Sequence, residues 1–296
     1  MLPKLIAVVG TNASGKSGLG VRLAEYYGGE IISADSRQVV RGLDLGSGKI
    51  TEDEMRGVRH HLLDVCEPGD FFSVVDFQRL SYAAIDDILS RGKQPFLVGG
   101  TGLYVSAVQE GYQMSNREPD LEYRDELRKL DTETLYAMLK EKDPETQVDA
   151  KNRNRVMRYL EKIHDGDEGP SASVPRYQVL RLGVTWERSV LNQRIDERLE
   201  RRMKEGMLEE VKGLLDAGVD PVWLDRLGLE YRFISQYLLG KIATEQEMLE
   251  GLAIAIKQFA KRQMTWFRRD KEIFWLDMTG DPFMQAREII DRFLNE

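Results

Sequence analysis

A glycine-rich phosphate loop near the start of the chain constrains the fold more than any other feature of the sequence. It has the pattern G-x-x-x-x-G-K-S and consists of Gly10, Thr11, Asn12, Ala13, Ser14, Gly15, Lys16 and Ser17. The loop follows an apolar run at residues 4–9 and precedes residues 16–27, whose apolar positions have helical spacing. A strand followed by a helix is the context in which this pattern binds phosphate, and it argues against a chance glycine turn before a lysine.

The composition of the loop indicates what it binds. Glycines let the backbone wrap closely around an anion, and successive N–H groups and the N-terminus of the next helix point at its oxygens. Lys16 adds positive charge, and Ser17 is positioned to ligate Mg²⁺. The sequence therefore predicts a site for a phosphorylated ligand with magnesium, without indicating which ligand it is.

Strand-like and helix-like segments alternate along the chain. We predict strands at residues 4–9, 30–34, 61–65, 95–98, 178–184 and 273–276, and helices at residues 16–27, 73–91, 189–217, 223–239, 244–269 and 282–294. Ser73 followed by Asp76 predicts the start of one helix. The alternation predicts an α/β fold, a P-loop NTPase-like parallel sheet flanked by helices on both faces, with a mostly helical C-terminal part.

A change in composition along the chain suggests an insertion into this core. Residues 111–150 are polar, acidic and helical, with no apolar strand, and we interpret them as a small inserted helical domain. Residues 1–110 would then form the first part of the P-loop core, and residues 151–296 its continuation. Residues 165–175 are rich in Gly, Pro, Ser and Asp, which predicts a flexible connector.

Composition limits the class of protein. The 296 residues are 42% hydrophobic, enough to bury a large core, and 31% charged. No apolar run approaches the length of a membrane span, and the short apolar stretch at residues 5–9 leads into the glycine loop rather than a cleavage site, so we expect a cytoplasmic protein. The single Cys66 excludes a disulfide within the chain, and three histidines argue against a Cys/His zinc module.

The charge distribution bears on whether the partner is a nucleic acid. The net charge of −8 argues against such a partner, but residues 151–162 and 257–271 are strongly basic, with a single acid in each. The second segment also carries Phe259, Trp266 and Phe267. Basic and aromatic residues together suit contacts with a nucleic-acid backbone and bases. Solvated helix faces explain the same charges, and charge alone leaves both interpretations open.

A second polar motif directly follows the second predicted strand. It consists of Ser33, Ala34, Asp35, Ser36, Arg37 and Gln38. The carboxyl edge of an open α/β sheet is the usual ligand crevice, so Asp35 is a candidate general base beside the phosphate loop. The alternative is an Asx turn after a strand. Asp64 follows another predicted strand and is either a carboxylate that reaches Mg²⁺ through water or the cap of a turn; we interpret His60 and His61 as structural.

A phosphate loop alone is typical of ATP-binding kinases and NTPases, but further segments resemble a different family. The sequence is similar to the bacterial type of tRNA dimethylallyltransferase, also called tRNA isopentenyltransferase, of the IPP transferase family. The resemblance lies in residues 10–17, 32–44, 60–64, 72–77, 97–104, 152–161, 194–211 and 261–267. These segments occur in the same order over nearly the whole chain, and it is their combination that is specific.

The resemblance implies a reaction and roles for named residues. The loop would hold the diphosphate of dimethylallyl diphosphate, and the exocyclic amine of the adenosine 3′-adjacent to the anticodon in tRNA would attack the allylic carbon. Asp35 would accept a proton from that amine, while Thr101 and Arg198 would contact the diphosphate beside Lys16. Fixed donors and Mg²⁺ stabilise the charge on a departing diphosphate, which fits this chemistry.

The resemblance also implies which residues touch the tRNA. They are Asp35, Ser36, Arg37, Gln38, Thr101, Asn154, Arg155, Val156, Met157 and Arg158. We add Gln258, Arg262 and Gln263 as candidates for gripping a flipped-out base, since an amide that binds a base edge and a stacking guanidinium are the usual tools. The expected partners are the anticodon stem-loop of tRNA and dimethylallyl diphosphate, and we expect a monomer.

Some positions depart from the family pattern. Thr11 and Asn12 stand where proline and threonine are common, and residues 225–231 replace the usual segment. Three other functions therefore remain to be weighed: a P-loop nucleoside or nucleotide kinase, an isopentenyltransferase acting on free AMP or ATP, and a catalytically silent RNA-binding protein.

Overall fold

The computed structural model describes residues 2–114, 120–166 and 173–296. The strands in these residues are β1 Lys4–Gly10, β2 Glu30–Ala34, β3 His60–His61, β4 Pro95–Gly99, β5 Gln178–Thr185 and β6 Phe274–Asp277. The helices are α1 Lys16–Tyr26, α2 Glu52–Met55, α3 Val74–Ser90, α4 Gly102–Gln109, α5 Leu121–Lys129, α6 Thr132–Lys142, α7 Arg153–His164, α8 Arg188–Lys204, α9 Met207–Asp216, α10 Pro221–Leu227, α11 Leu229–Leu238, α12 Glu245–Phe267 and α13 Pro282–Asn295. No helix in the described parts of the chain is both long and apolar enough to cross a bilayer.

The strands form one parallel sheet in the order β3-β2-β4-β1-β5-β6. Alternate residues of β1 enter two different cores: Ile6 and Val8 pack with α1 and α13, whereas Leu5, Ala7 and Val9 pack with α3 and α4. Helices therefore cover both faces, which is why these strands are continuously apolar rather than alternating. The predicted parallel sheet with flanking helices is confirmed.

The strand order positions the functional residues. β1 lies between β4 and β5, and β2 lies on the far side of β4. The loops after β1, β2 and β4 consequently leave the sheet side by side at its carboxyl edge, where open α/β sheets bind ligands.

Several predicted elements have different boundaries in the structure. The strand predicted at 61–65 is wrong beyond His61, because Leu62 and Asp64 have φ of 64° and 55°, in the left-handed region that strands exclude. The helices predicted at 189–217 and 223–239 are each two helices, which meet at Gly206 and Gly228. The start at Ser73 is confirmed, since Ser73 and Asp76 form a capping box.

The chain divides into two compact units: residues Met1–Gly111 with Pro175–Glu296, and residues Tyr112–Val174. The second unit contains α5, α6 and α7, packed around a core of Leu127, Leu135, Leu139, Val156 and Leu160. We predicted that the insertion ends at residue 150, whereas α7 lies within this unit because its apolar face completes that core. Residues 167–172 of the predicted connector lie outside the described residues.

Candidate active site

The phosphate loop is a tight turn between β1 and α1. Ala13 and Gly15 have φ of 57° and 87°, and Ser14 Oγ donates to the Thr11 carbonyl at 2.8 Å. Two side chains that are distant in sequence bind two further carbonyls of the loop. Arg194 Nε donates to Ala13 O at 3.0 Å, and Trp186 Nε1 donates to Ser14 O at 2.9 Å. The loop is thus fixed by donors to its carbonyls, in a conformation typical of backbone anion cradles.

Lys16 and Asp35 line one cavity of about 70 Å³, together with Ser17, Gln38 and Arg198. A larger cavity of about 670 Å³ runs along the loop and the arginines of α8. Desolvation in this position lowers the pKa of Lys16 to about 8; Asp35 opposes the shift, and the neighbouring Arg198 and Arg202 add to it. A bound anion would compensate for the lost hydration of the ammonium group.

Asp35 and Thr101 belong to adjoining loops. Asp35 Oδ1 accepts a hydrogen bond from Arg37 N at 3.0 Å, so the Asx turn weighed as an alternative is present, and the same side chain lines the cavity. Thr101 Oγ1 accepts from Ser36 N at 3.0 Å, which ties the end of β4 to the loop that carries Asp35. Thr101 thereby helps to fix the position of Asp35.

Arg198 and Arg202 lie one turn apart on α8 and both line the cavity. Burial lowers the pKa of Arg198 to about 10 and also lowers the pKa of Arg202, a residue that is 8% exposed. Arg198 Nη2 donates to Gly48 O at 3.3 Å, and Arg202 Nη1 lies 3.6 Å from Glu230 Oε1. Two guanidiniums, of which Arg202 has Glu230 nearby, give this wall a net positive charge suited to a diphosphate.

Sequence reasoning missed the loop at residues 43–49, which forms another wall of the cavity. The Glu210 carboxylate accepts three consecutive backbone N–H groups, from Asp44, Leu45 and Gly46, at 3.0, 2.7 and 2.9 Å. This brings Gly48, with φ of 62°, so close to α8 that a Cβ would lie 1.4 Å from Arg202 Nη2. The Gly-Ser-Gly run at residues 46–48 was the available signal in the sequence.

Asp64 is paired with a lysine of the loop at residues 43–49. Its carboxylate lies 2.5 Å from Lys49 Nζ, and β2 and β4 separate β3 from β1. β4, the neighbour of β1 on this side, leads into Gly99, Gly100 and Thr101, which carry no carboxylate. The carboxylate of Asp64 is thus paired with Lys49, and its contact with Mg²⁺ through water stays a prediction.

The comparison with family models settles the kind of protein to which this site belongs. Residues 38–270, well over half of the chain, match the model described as IPP transferase, and residues 3–69 match one described as isopentenyl transferase. The chain belongs to the IPP transferase family.

Individual members of the IPP transferase family match over nearly the full length. The chain is 47% identical over 294 residues to tRNA dimethylallyltransferase 2 of Shewanella sediminis, covering 97% of both chains. Its fold is similar to the crystal structure of the tRNA isopentenylpyrophosphate transferase of Bacillus halodurans, with TM-score 0.75, 38% identity, and coverage of 99% and 95%. A eukaryotic dimethylallyltransferase acting on tRNA has TM-score 0.82 but 24% identity, over 99% of this chain and 80% of that one, which shows the fold alone.

Five of the residues expected to touch tRNA lie on α7, in the second unit. They fall into two groups that differ in exposure. Asn154 and Arg155 are exposed, and Arg158 is partly exposed, with Nη1 3.3 Å from Glu161 Oε2. Val156 and Met157 are buried in the core of the helical unit, so their side chains are not available to an RNA. For these two residues the prediction of tRNA contact through the side chain is wrong, because a contiguous stretch of helix cannot present every residue to the same partner.

The three residues of α12 that are candidates for gripping a base also differ in exposure. Gln258 and Arg262 are exposed, and the ring of Phe259 lies 5.4 Å from the Arg37 guanidinium and 5.6 Å from that of Arg262. Gln263 is 9% exposed, and both ends of its amide bond to backbone groups, of Asn12 and Gly100. The groups of Gln263 that would read a base edge thus have backbone partners in this structure, and base contact by Gln263 stays a prediction.

The residues of the site fit a magnesium ion held mainly by the substrate. Among the residues that the structure describes, no group of three or more His, Cys, Asp or Glu side chains could hold a metal. Ser17 lines the cavity beside Lys16 and offers one hydroxyl oxygen. Mg²⁺ retains water readily and binds through one or two protein oxygens together with substrate phosphates, so this donor set is adequate.

Proposed function

We propose that this protein transfers the dimethylallyl group of dimethylallyl diphosphate to the exocyclic amine of the adenosine 3′-adjacent to the anticodon in tRNA, and releases diphosphate. The observation that carries the proposal is that Asp35 and the Lys16 phosphate loop line one cavity. A base and an anion cradle in one cavity are what a displacement by an amine with an anionic leaving group requires. Relatives named tRNA dimethylallyltransferase support it.

On the donor side, the leaving diphosphate is held by the loop N–H groups, Lys16, Arg198 and Arg202. Its bridging oxygen takes the electron pair of the breaking C–O bond, so negative charge grows there in the transition state. These groups are held in place before reaction, Arg198 by Gly48 O and Arg202 near Glu230, and preorganised positive charge of this kind is usually the largest catalytic effect. Ser17 would hold Mg²⁺, which would neutralise further charge on the diphosphate.

On the acceptor side, the adenine amine forms the new C–N bond and must lose a proton. Asp35 Oδ1 accepts from Arg37 N, and this bond orients the carboxylate towards the cavity. Asp35 Oδ2 is the oxygen that we assign to take the proton from the amine. Thr101, bonded to Ser36, acts by holding the Asp35 loop in register with the end of β4.

The tRNA contacts that we propose lie on polar side chains that solvent reaches. In the first unit these are Arg37, which is partly exposed, and Arg262, which is exposed; both guanidiniums lie near the ring of Phe259. In the second unit they are the exposed Asn154 and Arg155. Guanidiniums bind phosphates or stack on unpaired bases, which suits an anticodon loop.

The arrangement is less suited to a kinase. P-loop kinases and NTPases place a carboxylate for Mg²⁺ at the end of a strand near the phosphate loop. Here β4 ends at Gly99 and is followed by Gly100 and Thr101, and the nearby carboxylate, Asp35, follows β2.

An acceptor comparison tests the proposal. The purified protein is incubated with Mg²⁺ and dimethylallyl diphosphate carrying an isotopic label in the prenyl group, together with unmodified tRNA, free AMP or free ATP. We expect label in tRNA alone, at the adenosine 3′ to the anticodon, as located by nuclease mapping and mass spectrometry. Label in AMP or ATP would indicate the small-molecule transferase, and tRNA binding without transfer would indicate the silent RNA-binding protein. Phosphate transfer from ATP to a nucleoside would indicate the kinase.

A further inference from the structure

Helix α12 carries one polar residue on its buried face. The buried residues of this helix, which the structure describes in full, are Met248, Leu252, Ile256, Ala260, Gln263 and Phe267. Five of them are apolar and pack into the cores of the first unit. A buried amide is costly unless its oxygen and nitrogen both find partners, so Gln263 at this position calls for a specific explanation.

Gln263 joins two backbone segments that are distant in sequence. Its Oε1 accepts the N–H of Asn12, in the phosphate loop, at 2.9 Å, and its Nε2 donates to the carbonyl of Gly100, after β4, at 2.8 Å. One amide thus connects the loop after β1 to the loop after β4, the strand that pairs with β1.

The absence of a side chain at residue 100 makes room for this arrangement. A Cβ on Gly100 would lie 2.8 Å from Gln263 Nε2 and 3.4 Å from Lys16 Cε. The space beside Gly100 is therefore shared by the Gln263 amide and the stem of the lysine that serves the anion. Asn12, which Gln263 holds through its N–H, itself lines the cavity with Asp35.

We propose that Gln263 is a positioning residue: it fixes the phosphate loop against the end of β4, so that donor binding, rather than base recognition, depends on it. The loop needs such a tether because Ala13 adopts a left-handed conformation that is unfavourable for a residue with a side chain. Gln258 and Arg262, on another face of α12, are exposed. One helix thus serves the donor through its inner face and is available to RNA on its outer face. The inference rests on the proposed function for the identity of the donor.

The test separates donor binding from tRNA binding. We compare the wild type with Gln263→Met, which keeps the volume of the side chain and removes both hydrogen bonds, and with Gln246→Ala. Gln246 is an exposed glutamine on the same helix, and its Nε2 donates to Glu250 Oε1 at 2.6 Å. The readouts are the Kd for inorganic diphosphate with Mg²⁺ by calorimetry, the Kd for tRNA by filter binding, and hydrogen–deuterium exchange of the peptide containing residues 10–17.

For Gln263→Met we expect roughly tenfold weaker diphosphate binding, from the loss of two hydrogen bonds that order the loop, and a tRNA Kd within about twofold of wild type. Exchange of the loop peptide should accelerate, and Gln246→Ala should match the wild type in every readout. Weaker tRNA binding with unchanged diphosphate binding would overturn the proposal in favour of base recognition. Unchanged diphosphate binding and unchanged exchange would overturn it outright.

Two further measurements keep these outcomes interpretable. Thermal unfolding without ligand checks that Gln263→Met is folded. If the variant is unfolded, hydrogen–deuterium exchange of the wild type decides whether Gln263 tethers the loop. A tethered Asn12 amide must exchange far more slowly than a loop amide open to solvent. Wild-type protein that binds diphosphate but does not prenylate tRNA would contradict the proposed function alone, and the role of Gln263 in diphosphate binding would still be decided.

Discussion

The ammonium of Lys16 is held in a cavity where it is poorly hydrated, with a pKa of about 8. Only the protonated form attracts a diphosphate, and the bound anion raises the pKa of this group. Above pH 8 the free protein must therefore take up a proton in order to bind. We expect the affinity for dimethylallyl diphosphate to be roughly tenfold lower at about pH 9 than at about pH 7, as measured by calorimetry.

Lys16→Arg is the matched control for this prediction. A guanidinium stays protonated throughout the range, so the variant should show a flat pH dependence whatever its absolute affinity. An equal slope in both proteins would show that another group titrates.

The loop at residues 43–49 approaches Arg198 and Arg202 so closely that residue 48 must lack a side chain. In Gly48→Ala the new Cβ would lie 1.4 Å from Arg202 Nη2 and 2.0 Å from Arg198 Nη2, so both guanidiniums must move. We expect kcat/KM for the donor to fall by at least about tenfold. The matched control is Gly42→Ala: Gly42 has φ of +72° but open space around a Cβ. Both variants should lose about 1 kcal/mol of stability from the left-handed backbone, and Gly42→Ala should keep its activity.

At the scale of single residues, the site residues that directly follow strands could be predicted from the sequence. Those brought to the site by tertiary contacts could not. Lys16 and Asp35 could be placed together because the carboxyl ends of parallel strands share an edge. Nothing local to Gly48 indicates Arg202, which is more than 150 residues away along the chain. The spacing of Gln263 on α12 indicates that it is buried, but it does not reveal that the groups it meets are the backbone of Asn12 and Gly100.

At the scale of elements, the loop at residues 43–49 depends on α9. Glu210 accepts three N–H groups of this loop and the Tyr231 hydroxyl, at 3.0 Å. We expect Glu210→Ala to release the loop, raise the donor KM by roughly tenfold and lower the melting temperature, because three N–H groups, two of them in partly buried hydrogen bonds, lose their acceptor. Steady-state kinetics and thermal unfolding measure both effects.

Glu209 provides the control, since it is the exposed neighbour in the same helical turn. Glu209→Ala should leave the donor KM unchanged. Equal effects of the two variants would show that α9 acts through its charge and not through the loop.

The elements themselves were largely predictable, for a physical reason that also explains the failures. Continuous apolar runs that end in glycine define β1 and β4 in a sheet buried on both faces. The division between α8 and α9 was missed because apolar spacing continues past Gly206, and only its φ of 104° interrupts the helix. Periodicity indicates which face is buried, and it does not indicate where the axis of a helix changes direction.

At the scale of the whole molecule, a buried carboxylate at the start of β2 stabilises the sheet beside its edge strand β3. Glu30 is 2% exposed and lies 2.5 Å from Arg91 Nη1 and 2.8 Å from both Lys93 Nζ and His61 Nε2. The hydrogen bonds from Arg91, partly opposed by burial, hold the pKa of Glu30 far below its usual range. A depressed carboxylate pKa contributes stability that is present above the unfolded pKa and is lost as pH falls below it.

Glu30→Gln should therefore lower the free energy of unfolding by about 2 kcal/mol at neutral pH. The difference from wild type should shrink as the pH falls below about 4, as urea unfolding at several pH values can show. The exposed pair of Arg41 and Glu67 gives the control, and Glu67→Gln should change stability little. A difference for Glu30→Gln that does not depend on pH would contradict the charge-based explanation.

The most direct test of the account is the turnover and donor binding of Asp35→Asn. The variant keeps the shape of the side chain and the oxygen that accepts from Arg37 N, but it cannot take a proton. We predict that tRNA prenylation falls by on the order of 10²-fold or more in kcat, while the Kd for dimethylallyl diphosphate stays within about threefold of wild type. Turnover equal to wild type in Asp35→Asn would contradict the claim that this carboxylate and the phosphate loop act together in one cavity.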